Sequence, residues 1–365
     1  MTAAVTTIPS EAPSGTKVIH RTMCIAVDAM GGDQGPGEVV RGVADAARAS
    51  TMRFVLVGEQ AILEKELARL SARPKNIDIV VATQVIEMTD QPTVAFRKKP
   101  DASIVVAARL VKEKKADAVV SIGNTGAAMA VSLLTLGRIK GIDRPAIATP
   151  LPSGSKYGTT VLLDAGATVD CDPNNLYEFA LMGAVYAQAV LGIPDPTVGL
   201  LSNGEEDSKG NELVKRTHAL FQQAKQSGKT PFRFYGNVEG RDVFRGTTDV
   251  VVCDGFVGNV FLKASEGVAE MILGLLKTEL SAGAWKLPLV VPLRPSLQRV
   301  RGRIDYSERG GAPLLGINGI CIIGHGRSNA YAITNACRAA ERAIQHNIID
   351  SIRQRVCDMP SPPPV

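Results

Sequence analysis

The sequence predicts an α/β fold, an open wound, mostly parallel sheet with helices on both faces. Three observations carry that expectation. Strand-like runs alternate with helix-like runs along the chain. Most of the strand-like runs are continuously apolar, as in parallel strands covered on both faces. Glycine- and amide-rich turns follow the strands, which is where wound sheets place their ligands.

The first element is the apolar run 23–27, which ends in Asp28. The turn "DAMGGDQGPG" follows. Gly31 and Gly32 free its backbone, and Pro36 suits the first turn of a helix over 36–49. Strand, glycine turn and helix together present backbone N–H groups to an anion. The turn also carries two carboxylates, Asp28 and Asp33, and departs from the GxGxxG dinucleotide pattern. A simple tight turn is the competing reading. Further strands are expected at 54–57, 78–82, 118–121, 145–149, 160–163, 197–201, 249–253 and 320–323. Helices are expected at 59–72, 102–115, 125–137, 173–191, 210–227, 258–280 and 328–356.

Five more turns resemble the first: "SIGNTGA" from Ser121, "LLDAGA" from Leu162, "SNGEEDSKGNE" from Ser202, "VCDGFVGN" from Val252 and "GHGRSNA" from Gly324. Six such turns on one rim favour one long site over incidental turns.

Composition narrows the class. At 365 residues and 45% hydrophobic content the chain can bury a large core. No apolar run approaches the roughly 20 residues of a membrane span. Residues 1–20 lack the apolar core of a signal peptide and read as a disordered tail, as does 358–365. Between them, 21–357 reads as a single α/β catalytic domain. A net charge of +5 with 4% aromatic residues argues against nucleic acid. The six cysteines form no CxxC and no Cys/His cluster of metal-ligand spacing. Cys24, Cys253, Cys321 and Cys337 sit in apolar runs and read as buried thiols, which implies a cytosolic protein.

Together the turns are specific. With "MTDQPTVAFRKKPDASI", "YGNVEGRDVFRGTTDVV" and "YSERGGAPLLGINGICII" they cover most of 21–340 in order. On these motifs the chain resembles the phosphate acyltransferases of bacterial phospholipid synthesis. The resemblance implies a fold similar to the isocitrate and isopropylmalate dehydrogenases without their redox chemistry. It implies a homodimer that passes a long fatty acyl group from acyl carrier protein to inorganic phosphate, with no cofactor and no required metal. The acyl phosphate then serves a membrane glycerol-3-phosphate acyltransferase. The stretch "KKPDAS", where members of the family often carry paired serines, departs from the pattern.

Such a transfer needs little activation. Phosphate is already an anionic nucleophile, and a thiol of pKa about 8.5 leaves readily. Positioning and oxyanion stabilisation remain. The candidates for this work are Asn124, Asn259, Lys263 and His325. Asn124 could equally be a helix cap. Asn259 and Lys263 lie one helical turn apart and share a face. His325 is the one histidine between glycines after a strand; His218 and His346 read as surface residues. The candidate substrate-binding set adds Asp28, Gly31, Gly32, Asp33, Gly123, Gly126, Asp164, Asn203, Gly204, Asn237, Asp254, Gly324 and Gly326. The carboxylates would repel phosphate, so they are expected to orient cations and amides; a divalent ion held with phosphate is the alternative.

Residues 260–304 form an amphipathic segment for membrane or dimer contact. Phe261, Ala264, Val268, Met271, Ile272, Leu275 and Leu276 fall on one helical stripe. Beyond it lie Trp285, three prolines that preclude an unbroken helix, and Arg294, Arg299, Arg301 and Arg303. Apolar groups beside arginines suit an anionic bilayer surface, here the inner face of the cell membrane. These arginines and Arg97, Lys98 and Lys99 are the candidates for docking the acidic carrier. A nicotinamide-dependent oxidoreductase and a non-catalytic membrane scaffold are the competing functions. The first lacks its glycine motif, and the second leaves six turns unexplained.

Overall fold

The computed structural model describes residues 22–87, 89–228, 230–281, 292, 295–297, 302 and 310–358. The expected N-terminal tail, 359–365 of the expected C-terminal tail, Trp285, Arg294, Arg299, Arg301 and Arg303 lie outside them.

In chain order the strands are β1 (Cys24–Asp28), β2 (Arg53–Gly58), β3 (Ile77–Val81), β4 (Ala118–Ser121), β5 (Ala146–Ile147), β6 (Thr149–Pro152), β7 (Thr159–Leu163), β8 (Thr197–Leu201), β9 (Arg233–Val238), β10 (Val250–Val252), β11 (Ala312–Leu315) and β12 (Ile320–Ile323). They divide over two sheets, where the sequence reading had one rim. The larger has the order β3-β2-β1-β4-β12-β11-β5, and the smaller β6-β7-β10-β8-β9. The larger sheet is parallel from β3 to β12, and β11 runs antiparallel between β12 and β5. In the smaller sheet only β6 is antiparallel.

The helices are α1 (Pro36–Arg48), α2 (Gln60–Ala68), α3 (Pro92–Lys98), α4 (Ser103–Lys112), α5 (Thr125–Leu136), α6 (Pro173–Ala189), α7 (Glu212–Gln226), α8 (Gly240–Arg245), α9 (Gly255–Ser281), α10 (Ala330–Gln345) and α11 (Ile348–Cys357). The helix expected over 328–356 is two, broken at Asn347, whose φ of 47° is left-handed. Three strands escaped the sequence reading for local reasons. The edge strand β6 reads "TPLP", and prolines belong on edges. β9 is interrupted by Gly236 beside a register shift in its pairing with β8. β11 is short and carries a proline.

Register sets the rim. Asp28 of β1 and Ile323 of β12 both lie level with Ser121 of β4. Leu163 of β7 and Leu200 of β8 both lie level with Val252 of β10. Three of the six turns therefore leave each sheet side by side.

The core explains α6. Apolar residues surround it, as expected of a helix buried on all sides. Tyr177, Phe221, Phe232 and Phe234 pack edge to face around it and α7, with centroids 5.0–5.8 Å apart. His218 of α7 belongs to this core and not to the surface, with its ring edge-on to Phe234 and Nε2 3.3 Å from Asp207. His346 is exposed as expected. Cys24, Cys253, Cys321 and Cys337 are buried free thiols.

Glu178 of α6 is buried, and its carboxylate accepts from the backbone N–H of Asp143 at 2.8 Å. Burial pushes its pKa up to about 7. A folded pKa above the ordinary 4.5 means that the folded state holds the proton more tightly. The associated stability is full below about pH 4.5 and is lost as pH rises through about 7. Glu178→Gln keeps an acceptor for Asp143 and removes the ionisation. In urea titrations the variant should match the parent near pH 4.5 and exceed it by about 1–2 kcal/mol above pH 8, after allowing for partial solvation of the carboxyl. An equal difference at both pH values would refute this.

Candidate active site

The turns of the larger sheet form a knot. Ser121 Oγ donates to Asp28 at 3.0 Å, and the Met30 N–H donates to it at 3.3 Å. Burial raises the Asp28 pKa, and the Ser103 and Ser121 hydroxyls and the Met30 N–H oppose that rise. Gly31 and Gly123 touch backbone to backbone: a Cβ on Gly123 would lie 2.7 Å from the Gly31 carbonyl oxygen. Asp33 N–H donates to Gly326 at 2.9 Å, which ties in the turn after β12. Gly32 faces Ile122 and Gly326, and Gly126 sits against Pro92.

In the smaller sheet the Asp164 carboxylate occupies its own turn. It accepts from the N–H groups of Gly166, Ala167 and Thr168 at 2.6–3.0 Å, and from Ile147 at 2.8 Å. Burial raises its pKa, against the pull of those four amides. Asp254 caps α9 by accepting from the Val257 N–H at 2.9 Å. Asn124 caps α5 by accepting from the Ala127 N–H at 3.0 Å. Asp28, Asp164 and Asp254 thus meet amides and, for Asp28, a hydroxyl, where the sequence reading expected cations as well as amides. The N–H groups of Met30, Ala127, Gly166, Ala167, Thr168 and Val257, which look open to an external anion in the sequence, are already satisfied by internal acceptors.

Asn203, Gly204 and Asn237 serve a different loop. Asn203 accepts from the Gly210 N–H at 2.8 Å, and Asn237 donates to the Glu206 carbonyl at 2.9 Å. None of the three lines the cleft described next.

A cleft of about 250 Å³ opens between the sheets. Thr125, Gly324, His325 and Ser328 reach it from the larger sheet, and Asn259, Lys263 and Glu266 from α9. Asn259 packs on Gly166, whose Cβ would lie 3.4 Å away. His325 accepts the Arg327 N–H at Nδ1, at 3.1 Å. In the neutral ring this leaves the proton on Nε2, which is a donor. The remaining lining is mostly apolar and includes Ile147, Leu151, Phe244, Leu262, Ala269 and Ile323. The arrangement offers a cation, an amide and an imidazole N–H at one place, beside aliphatic walls. It suits an anion joined to an apolar group. The Cys171 thiol, pushed up to about 12 by burial and the nearby Asp164 and Asp254, lies outside that lining. So does Cys253, whose buried thiol is also raised.

The family described as "Fatty acid synthesis protein" matches residues 23–351. A phosphate acyltransferase from Heliobacterium modesticaldum is 50% identical over 92% of this chain and 98% of its own. One from Trichodesmium erythraeum is 46% identical over 91% and 96%. The chain belongs to the phosphate acyltransferase family. The EutD phosphotransacetylase from Staphylococcus aureus shares the family's fold, with a TM-score of 0.58 at 16% identity over 89% of this chain and 94% of its own. A 4-hydroxythreonine-4-phosphate dehydrogenase from Klebsiella pneumoniae does so at 0.52 and 14%, over 89% and 100%. The latter agrees with the dehydrogenase-like architecture expected from the sequence.

Glu266 is among the cleft residues that sequence reasoning missed in this family member. Glu266 follows Asn259 and Lys263 at spacings of four and three, one continuous helical face. Burial raises its pKa, and His325 and Lys263 draw it back down. The spacing was visible, but a glutamate in a charged helix gives no sign that it faces inward. Of the candidates for carrier contact, Arg97 and Lys98 are exposed, whereas Lys99 pairs with Asp90 at 2.5 Å and donates to the Val85 carbonyl.

The start of α9 leaves no room beside Asp164. A Cβ on Gly258 would collide with the Asp164 carbonyl oxygen, whereas one on Gly267 meets nothing within 4 Å. Gly258→Ala should cost about 1–3 kcal/mol and displace Asn259. Gly267→Ala should gain up to about 1 kcal/mol from helix propensity. Urea denaturation of both checks the opposite signs; equal effects would refute the packing argument.

Proposed function

We propose that this acyltransferase moves a long-chain fatty acyl group from acyl carrier protein to inorganic phosphate, giving acyl phosphate for phospholipid synthesis. The observation that carries the reading is the cleft, which places Lys263, Asn259 and His325 beside an apolar wall. A phosphate oxygen forms the new bond to the thioester carbon, the carbon–sulfur bond breaks, and the proton lost by phosphate ends on the carrier thiol. Lys263 and the Asn259 amide stabilise phosphate and the developing oxyanion. His325 donates from Nε2 to the phosphate. Direct attack agrees with the cleft lining, which contains no cysteine.

In this reading 21–357 acts as one catalytic domain in the cytoplasm. The carrier docks on basic side chains, Arg97 and Lys98 or the arginines of 294–303. Val260, Val268, Met271, Ile272 and Leu275 leave α9 with an exposed apolar face. That face supports burial against a second copy in a homodimer and peripheral contact with the inner membrane surface, where a glycerol-3-phosphate acyltransferase would take the product. Among the described residues no helix is long and apolar enough to cross a membrane.

The test uses hexadecanoyl-acyl carrier protein and phosphate. Thiol release and acyl phosphate should appear together and only with phosphate present. Lys263→Met and His325→Gln should each lower kcat/KM by about a hundredfold, the scale of losing one oxyanion donor. Thiol release without acyl phosphate would make the protein a thioesterase and overturn the reading.

A further inference from the structure

The cleft that presents Lys263, Asn259 and His325 also presents a carboxylate. Glu266 lines it, three residues after Lys263 and seven after Asn259, so all three side chains leave one face of α9. At a spacing of three, the Cβ atoms of Lys263 and Glu266 lie about 5–6 Å apart. A carboxylate this close to a bound anion is unfavourable by simple repulsion, unless the anion gives it something in return.

The protein itself does not occupy this acid. Glu266 is half-buried, and among the described residues it makes no hydrogen bond and no ion pair. The charged groups around it are Lys263 and His325, which draw its pKa down, and Glu270, exposed one turn on, which opposes them. The donor inventory gives it a role. The Lys263 ammonium and the His325 Nε2–H donate, and the Asn259 amide and the hydroxyls of Thr125 and Ser328 can present either a hydrogen or a lone pair. Among the described lining residues, Glu266 is the one side chain that, when ionised, accepts and never donates. At about pH 8 inorganic phosphate is a tetrahedral dianion with one P–OH hydrogen. Sulfate is a dianion of the same shape with none. An acceptor-only group satisfies the first and repels the second.

We propose that Glu266 accepts the P–OH hydrogen of bound phosphate and so makes the cleft selective for hydrogen-bearing oxyanions over sulfate. The inference rests on the acyltransferase reading and adds the residue that determines which anion enters.

The experiment follows acyl phosphate formation from hexadecanoyl-acyl carrier protein at about pH 8. It measures inhibition constants, in competition with phosphate, for sulfate and for arsenate, which carries a hydrogen as phosphate does. In the parent, sulfate should bind at least about a hundredfold more weakly than arsenate, the scale of a charge-assisted hydrogen bond replaced by an unpaired charge. In Glu266→Gln, whose amide can donate to either anion, that ratio should fall at least about tenfold. A merely structural role would weaken both anions together and leave the ratio unchanged. That result would overturn the proposal, as would a parent that binds the two anions equally. If Glu266→Gln does not fold by circular dichroism, Glu266→Ser, whose hydroxyl can also turn to either anion, is read in the same way. Acyl phosphate made by the parent with an unchanged ratio in the variants sinks only the anion selectivity; no acyl phosphate from the parent sinks the acyltransferase reading and the selectivity with it.

Discussion

The Asp164 carboxylate holds the two sheets in register with each other. It closes its own turn through three amides, and a fourth, from Ile147, belongs to the edge strand of the larger sheet. Ala165 returns a bond to the Ile147 carbonyl at 3.0 Å. Ile147 and Ala165 both line the cleft. The cleft walls are therefore joined at the seam between the sheets. Burying a carboxylate is expensive unless amides satisfy it, and here four do. Removing the acid would leave four N–H groups unpaired at that seam.

Much of this was legible beforehand. The parallel strands announce themselves as continuous apolar runs, and their ends carry the turns. Asn259, Lys263 and His325 were chosen on local grounds, spacing for the first two and a glycine-flanked strand end for the third, and the fold brings all three to one cleft. What stayed hidden depends on pairing. No residue pattern says that β5 and β6, separated only by Ala148, enter different sheets. Nor can glycine-rich turns reveal that a neighbouring carboxylate already fills them, as Asp164 and Asp254 do. His218 shows the same limit: helical spacing placed it on a face, and only the packing of Phe234 shows that the face is inside.

Helix α9 links the remaining features. Its N-terminus is seated by a glycine against Asp164, its first turns present Asn259, Lys263 and Glu266 to the cleft, and its later turns expose an apolar face. The cleft lining and the exposed apolar face share one helix.

The His325 ring carries a quieter consequence. Its Nδ1 accepts the main-chain N–H of Arg327, which places the hydrogen of the neutral ring on Nε2. Nineteen of the twenty genetically encoded residues supply that donor, and proline is the exception. Position 327 can therefore drift in charge and size over evolutionary time while the imidazole keeps its hydrogen where the cleft needs it. The backbone bond to Nδ1 survives any substitution at 327 other than proline.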